Sequence, residues 1–284
     1  MSKGVVLLAV NTTNVDYVKQ AYYLAKRIHK YINVPVSIIT NSVEYVNKNF
    51  NDGVFDNVIK VPDDSTQSNT RLIFDGAFSK KTINWKNGNR ASVYELTPYD
   101  ETLVLDTDFI ISNSILANCF NSIHDFLIYK HSLDVSNIRT VTEFTRVSDT
   151  SIDFYWATCV FFRKTDINKI FFDLINHIKQ EWNHYKSVYQ LSTNTFRNDY
   201  AFSIAIHIMN GFQRGNFAHA LPGKMYYSID QDILHDIIDD KIILLIQKLD
   251  YFGEYTLLKT TGLNIHVMNK ASLERVIDKE ITDE

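Results

Sequence analysis

The stretch from Tyr99 to Ser112, YDETLVLDTDFIIS, decides how the rest of the chain is read. The apolar run Leu103-Val104-Leu105 breaks into Asp106 and Asp108, one residue apart, and turns apolar again at Phe109. In extended chain, residues i and i+2 point to the same side. Two carboxylates therefore converge at the end of what reads as a buried strand. Unpaired charge in such a place is costly and calls for a metal, a cationic partner or water. Spacing alone is no proof, because 24 Asp in 284 residues give about two D-x-D pairs by chance. Two are present, the second being Asp230/Asp232 in SIDQDILHDIIDD. That second pair sits in an acidic stretch with helical spacing and reads as a solvated face.

Upstream of the aspartates, GVVLLAV (4–10) is a continuous apolar run of strand length, as expected of a parallel strand covered on both faces. Val15, Val18, Ala21, Leu24, Ala25 and Ile28 then recur at helical spacing, VPVSIIT supplies a second strand, and NVIKV a third. The order strand, helix, strand is that of an α/β fold. Downstream, FLIYKH is weakly strand-like and SIDFYWATCVFFRK strongly so. Asp166 is the expected cap of an amphipathic helix, and a second helix runs from Asn198 or Asp199 to near Gly211. The tail alternates KIILLI, YTLLKTT and NIHVMNK. With no repeat, low-complexity segment or composition shift, the expectation is one α/β domain over 1–284, its mostly parallel mixed sheet flanked by helices. Its first strands and helix suggest a nucleotide-binding half, because ligands in open parallel sheets gather outside the carboxyl ends of the strands.

Composition narrows the class. An apolar content of 45% and a charged content of 22% are ordinary for a globular protein. The net charge of -4 carries no global basic signature for nucleic acid. Two cysteines, Cys119 and Cys159, make neither a disulfide framework nor a zinc site, and a reducing cytoplasm is the natural reading. The start MSKGVVLLAVN reads as a strand and not a signal peptide, and no apolar run approaches the roughly 20 residues of a membrane span.

No G-x-G-x-x-G follows the first strand and no G-x-x-x-x-G-K-[ST] occurs, which excludes the common dinucleotide and P-loop patterns. The small polar residues Asn11, Thr12, Thr13 and Asn14 follow instead, suited to hydrogen bonds with a base or ribose. Ligands of open parallel sheets gather outside the carboxyl ends of the strands, where Asp106 and Asp108 are placed. Two carboxylates there can hold a hard divalent cation that shares its sphere with phosphate and neutralises charge on a departing diphosphate.

With these elements, LVLDTDFII resembles the D-x-D element of GT-A fold glycosyltransferases, the family of nucleotide-sugar enzymes that includes glycogenin and bacterial lipopolysaccharide galactosyltransferases. LLAVNTTNVDYV is similar to their first strand, whose end meets the base. NRASVYELTPYDETLVLDTD resembles their approach to the metal motif, with Arg90 in the basic place. YWATCVFFRK looks like their N-[AS]-G strand, FRNDYAFSIAIH like the start of their N/D-D-Q helix, and NIHVMNK like their C-terminal H-x-x-G-x-x-K element. The chain departs from the pattern at Trp156-Ala157-Thr158, at Tyr200 in place of glutamine, and in a tail without the glycine or closing P-W.

The resemblance implies a metal-dependent transfer of a sugar from a nucleoside-diphosphate sugar, UDP favoured, retaining and of hexosyl type. Asp106, Asp108 and His266 would hold Mn²⁺ or Mg²⁺; Lys270 and Arg90 would meet the diphosphate; Asn11, Thr12, Tyr17 and Thr107 would bind the nucleotide. Trp156, Thr158 and Asp199 would face the sugar or acceptor, and Asp199 and Asp108 are the candidate catalytic carboxylates. The acceptor stays open among a protein, a glycan, a small molecule and a modified nucleic-acid base. Lys80, Lys81, Lys86, Arg90, Arg139 and Arg146 are scattered candidates for a basic groove, and 130–151 is a candidate acceptor loop. Two other readings share the pattern: a nucleotide-sugar-binding protein without catalysis, and a haloacid-dehalogenase-like phosphatase with a D-x-D nucleophile.

Overall fold

Three apolar runs near the N-terminus form the parallel half of the central sheet: β1 (Lys3–Ala9), β2 (Val36–Thr40) and β3 (Asn57–Lys60). The computed structural model describes residues 1–62, 69–76, 79–86, 90–136, 144–148, 151–248 and 253–283. Arg139 and part of the candidate acceptor loop lie outside them. Between β1 and β2 runs α1 (Tyr17–Tyr31), capped by Asp16, whose side chain accepts from the Lys19 backbone N–H. Its periodic residues Val18, Ala21, Leu24, Ala25 and Ile28 are fully buried. Burial of a side chain such as Leu24 stabilises by about 2 kcal/mol. Helix α2 (Val43–Asn49) leads into β3.

A hairpin that the sequence did not announce follows: β4 (Asn69–Phe74) pairs antiparallel with β5 (Lys80–Trp85). A 3-10 turn at Arg90–Ser92 and the short α3 (Val93–Leu96) then deliver the chain to β6 (Glu101–Leu105), which pairs parallel with β1. Next come β7 (Phe109–Ile110), β8 (Phe126–Tyr129), β9 (Ser132–Asp134) and the long buried β10 (Trp156–Arg163). The central order is β3-β2-β1-β6-β10-β8. The pairs β2–β3, β1–β2 and β1–β6 run parallel, and β6–β10 and β10–β8 antiparallel. This is the mostly parallel mixed sheet expected of the α/β class.

Helices α4 (Asp166–Gln180), α5 (Trp182–Val188) and α6 (Asn198–Met209) follow β10. Phe171 and Phe172 of α4 meet Phe202 of α6 within the core. The cap of α4 is Thr165, not Asp166. Thr165 is extended and its hydroxyl accepts from Asn168 N, which leaves Asp166 in the first turn, where the helix dipole favours a carboxylate.

The remaining strands are β11 (Met225–Ser228), β12 (Leu234–Ile238), β13 (Lys241–Gln247), β14 (Tyr255–Thr261) and β15 (Ile265–Val267), followed by α7 (Lys270–Asp283). The helical reading around Asp230/Asp232 is corrected here. Residues 234–238 form a strand because they pair antiparallel with β13, placing the aspartates in the connection from β11. Neither is a solvated face: Asp230 pairs with Arg71, and Asp232 with Arg275. A small second sheet has the order β7-β15-β11-β9. Among the described residues, no helix is long and apolar enough to cross a membrane.

Candidate active site

The central strand β6 ends between β1 and β10, and the chain turns sharply there. Asp106 N donates to Thr158 O of β10 at 2.9 Å, and Phe109 N donates back to Asp106 O at 3.1 Å. The turn puts both aspartates at the carboxyl edge of the parallel strands. β7 then pairs antiparallel with β15, with His266 opposite Phe109 and Val267 N donating to Asp108 O at 2.9 Å. That register sets His266 Nε2 2.9 Å from Asp108 Oδ2. Lys270, the first residue of α7, reaches the same oxygen.

Asp106, Asp108 and His266 form a cation-sized cluster: one donor atom of each lies within 4.8 Å of the others. Burial, joined by the positive field of Arg71, pushes His266 down to about 3, with Arg90 adding to the effect. The imidazole is therefore neutral and available as a ligand. Its Nδ1 is buried with no hydrogen-bond partner among the described residues. Burial, and then Arg71, also lower Lys270 well below the usual lysine range. Two carboxylate oxygens and a neutral imidazole are a donor set that suits a divalent ion such as Mn²⁺.

These groups open into a cleft of about 500 Å³. One side is the end of β1 with Leu8, Val10 and Tyr17; another is the hairpin β4–β5 with Arg71 and Trp85. Tyr17 is largely buried, which raises its phenol to about 12 against the opposing field of Arg71. The far side carries Trp156, Ala157 and Thr158 of β10, with Arg197 and Asp199 at the start of α6. Trp156 is packed among Phe144, Phe154 and Tyr227, and its Nε1 has no partner among the described residues.

Each acid of the cleft has a basic partner. Arg90 meets Asp106, Lys270 meets Asp108, Arg197 meets Asp199 at 2.7 Å, and Arg71 meets Asp230. Arg90 is enclosed, and burial lowers it to about 10 against the field of Asp199; its Nε and Nη1 find no partner among the described residues. Arg197 is also hindered by burial, yet Asp199 raises it above the usual arginine value. Asp199 sits in the first turn of α6 without capping it. Its Oδ1 instead accepts from Ala157 N at 2.9 Å, tying the helix to β10.

The structure thus gathers Tyr17, Arg90, Asp106, Thr107, Asp108, Trp156, Thr158, Asp199, His266 and Lys270 around one cleft. Asn11 and Thr12 are not among its lining residues. Asn11 Oδ1 accepts from Val18 N and its Nδ2 donates to Asp16, so its carboxamide serves the start of α1. Thr12 Oγ1 accepts from Val15 N. Arg71, Trp85, Arg197 and Asp230 line the cleft without having been singled out as site residues from the sequence. Arg197 could have been found from its place two residues before Asp199, and Asp230 from the second D-x-D pair that was discounted; Arg71 and Trp85 carry no spacing signal.

The fold and site define a mixed α/β protein with an acidic and imidazole cluster in a cleft at the carboxyl edge of its parallel strands. No protein-family model and no curated protein matches the chain. Solved structures do align with it. The glycosyltransferase GlyE of Streptococcus pneumoniae TIGR4 is 9% identical over 74% of this chain and 43% of its own, with a TM-score of 0.37. The galactosyltransferase LgtC is 11% identical over 71% of this chain and 69% of its own, at 0.38. Mouse xyloside xylosyltransferase 1 is 9% identical over 78% and 85%, at 0.43. The chain spans less than half the length of GlyE. At these identities the functional reading rests on the site itself.

Proposed function

We propose that this protein is a metal-dependent glycosyltransferase that takes a sugar from a nucleoside-diphosphate sugar. One observation carries the reading: Asp106, Asp108 and His266 hold their donor atoms within 4.8 Å at the end of β6, with the ammonium of Lys270 beside them. Mn²⁺ or Mg²⁺ bound by these three residues would supply positive charge against a leaving diphosphate.

The chain's own groups do the rest. Lys270, paired with Asp108, and Arg90, paired with Asp106, offer positive charge at the cleft, the preorganised stabilisation that dominates much of catalysis. Leu8 and Val10, at the end of β1, and Tyr17, at the start of α1, offer an apolar and aromatic wall to the nucleotide, and Thr107 lines the same cleft with its hydroxyl donating to Gln20. Asp199, held at one oxygen by Ala157 N and at the other by Arg197, is oriented to accept a hydrogen bond from a sugar hydroxyl. Trp156 and Thr158 flank it. Residues 1–108 serve the nucleotide, and 109–284 the acceptor together with the C-terminal metal and phosphate segment that carries His266 and Lys270. UDP as the nucleotide, a hexose and retention of configuration extend the same reading on the strength of the motif resemblance, and a cytoplasmic location on the strength of the two cysteines.

The test is binding before turnover. Nucleotide sugars are screened by thermal shift with and without Mn²⁺, since a ligand that binds only the folded state raises the melting temperature. The expected result is one sugar-nucleotide class that stabilises only with Mn²⁺, an effect lost in Asp108→Ala. Stabilisation that persists without metal and in that variant would falsify the assignment.

A further inference from the structure

The hairpin β4–β5 brings to the cleft a cation that none of the sequence motifs contains. Arg71 of β4 lines the same cavity as Asp108, His266 and Lys270. Its Nη2 lies 3.6 Å from Met268 Sδ, and Met268 is two residues from both His266 and Lys270. Its place is held by Asn269, a fully buried residue between them. Asn269 Nδ2 donates to Phe74 O at 2.8 Å and to Asp230 O at 2.6 Å. Phe74 N in turn donates to Asp230 O at 3.2 Å. The segment from His266 to Lys270 is thereby tied to the end of β4 and to the connection carrying Asp230.

We propose that Arg71 is a further protein cation for the donor's diphosphate, beside Lys270 and Arg90, and that Asp230 is the anion that holds its guanidinium in place until a diphosphate arrives. The proposal rests on the reading of the cleft as a nucleoside-diphosphate-sugar site.

Three observations single out Arg71 among the arginines of the cleft. The Arg90 side chain is enclosed, 7% exposed against 36% for Arg71, so only Arg71 of the two has a guanidinium edge open to a ligand. Arg197 has comparable exposure, but it lies over the rings of Phe144 and Tyr200 and belongs to Asp199. The contact between Arg71 and Asp230 is also the weaker type. Both Nε, at 3.0 Å, and Nη2 go to Oδ2, while Asp230 Oδ1 is buried with no partner among the described residues. A two-oxygen fork is the stronger arrangement. A phosphate offers a planar guanidinium the bidentate match that this carboxylate does not.

The experiment titrates the full chain with UDP, GDP, ADP and CDP, each with Mn²⁺, and with the corresponding monophosphates, by calorimetry. The proteins are the wild type, Arg71→Gln, Arg71→Lys and Asp230→Asn. The expected result is that Arg71→Gln weakens the preferred diphosphate about tenfold to a hundredfold, the value of a charge-assisted hydrogen bond. The monophosphate should move less than about threefold, Arg71→Lys should fall between, and Asp230→Asn should bind the diphosphate as tightly as the wild type or tighter. A wild type that binds a diphosphate with Mn²⁺ beside an equally tight Arg71→Gln overturns the role of Arg71 and leaves the proposed function standing. A wild type that binds none of the four overturns both. Should Arg71→Gln fail to fold, Asp230→Asn decides alone, and a diphosphate affinity weakened more than about threefold in it overturns the proposal.

Discussion

Asp108 Oδ2 and His266 Nε2 lie 2.9 Å apart although 158 residues separate them in the chain. The contact is set by the pairing of β7 with β15, which places His266 opposite Phe109. Lys270, one helical start further on, meets the same oxygen. One carboxylate thus balances an ammonium and orients an imidazole in a buried place. The site is thus electrostatically satisfied by its own cations, and under the proposed function Asp106 and Asp108 would each exchange a protein partner for a metal.

Asp108→Ala should reduce Mn²⁺-dependent hydrolysis or transfer of the accepted donor by at least about 100-fold, the scale of removing a preorganised electrostatic group. The variant leaves Lys270 without its counter-ion. The loss of stability in urea should stay below the roughly 3–5 kcal/mol of a broken buried pair, because burial lowers Lys270 and, once Asp108 is gone, its amine can shed its proton instead of staying charged.

Chelation should abolish activity, and added Mn²⁺ should restore it. His266→Gln, which removes the only nitrogen of the cluster, should weaken Mn²⁺ binding by about 10- to 100-fold. Electron paramagnetic resonance of free Mn²⁺ reads this directly. An unchanged affinity would place the ion elsewhere.

Asp199→Asn keeps an oxygen for Ala157 N but removes the charge opposite Arg197. Folding should survive. Turnover should fall about tenfold or more, while the affinity for the nucleoside diphosphate changes less than about threefold, because the contact is with sugar or acceptor. Loss of diphosphate binding would instead make Asp199 a structural tie between α6 and β10.

Burial holds Tyr17 protonated to about 12, against the ordinary tyrosine value of 10.0. A folded pKa raised above the unfolded one contributes stability that is complete below pH 10 and is lost as pH rises from 10 to 12. Tyr17→Phe should therefore flatten part of the alkaline fall in stability, by about 1–2 kcal/mol at pH 12. Chemical denaturation of both proteins between pH 9 and 12 measures it; curves that stay parallel would show that the phenol does not titrate as its burial requires.

Gly4 in β1 lies against the ring face of Tyr99, whose hydroxyl is engaged with Ser37 Oγ at 2.7 Å. A Cβ at this position would clash with Cζ, Cε1 and Cε2 of that ring. Gly4→Ala should cost about 1–3 kcal/mol of overpacking, seen as a lower urea midpoint with an unchanged slope. Gly76→Ala, whose added Cβ meets nothing but whose φ is +85°, should owe its cost to backbone strain instead.

Much of the fold was legible because its signals are local. Continuous apolar runs became β1, β2 and β10, and the helical period from Val18 to Ile28 became the buried stripe of α1. The D-x-D pair was legible for the same reason, since the apolar run of β6 stops at Leu105, directly before Asp106. The hairpin β4–β5 was not. Its exposed residues alternate weakly, and its pairing is decided by partners six to sixteen residues apart rather than by any apolar run. Asp230 was misread because a stretch rich in Ile and Leu satisfies helical and strand periods alike until β13 is there to pair with it.

By itself the sequence determined which residues could carry charge at a strand end, and that the chain alternates strands and helices. Only the tertiary structure decided who faces whom. The register of β7 on β15 brought His266 and Lys270 to Asp108, and the ties of Asn269 set Arg71 beside them. Such meetings depend on hydrogen bonds between segments far apart in the chain, whose partners no local periodicity encodes.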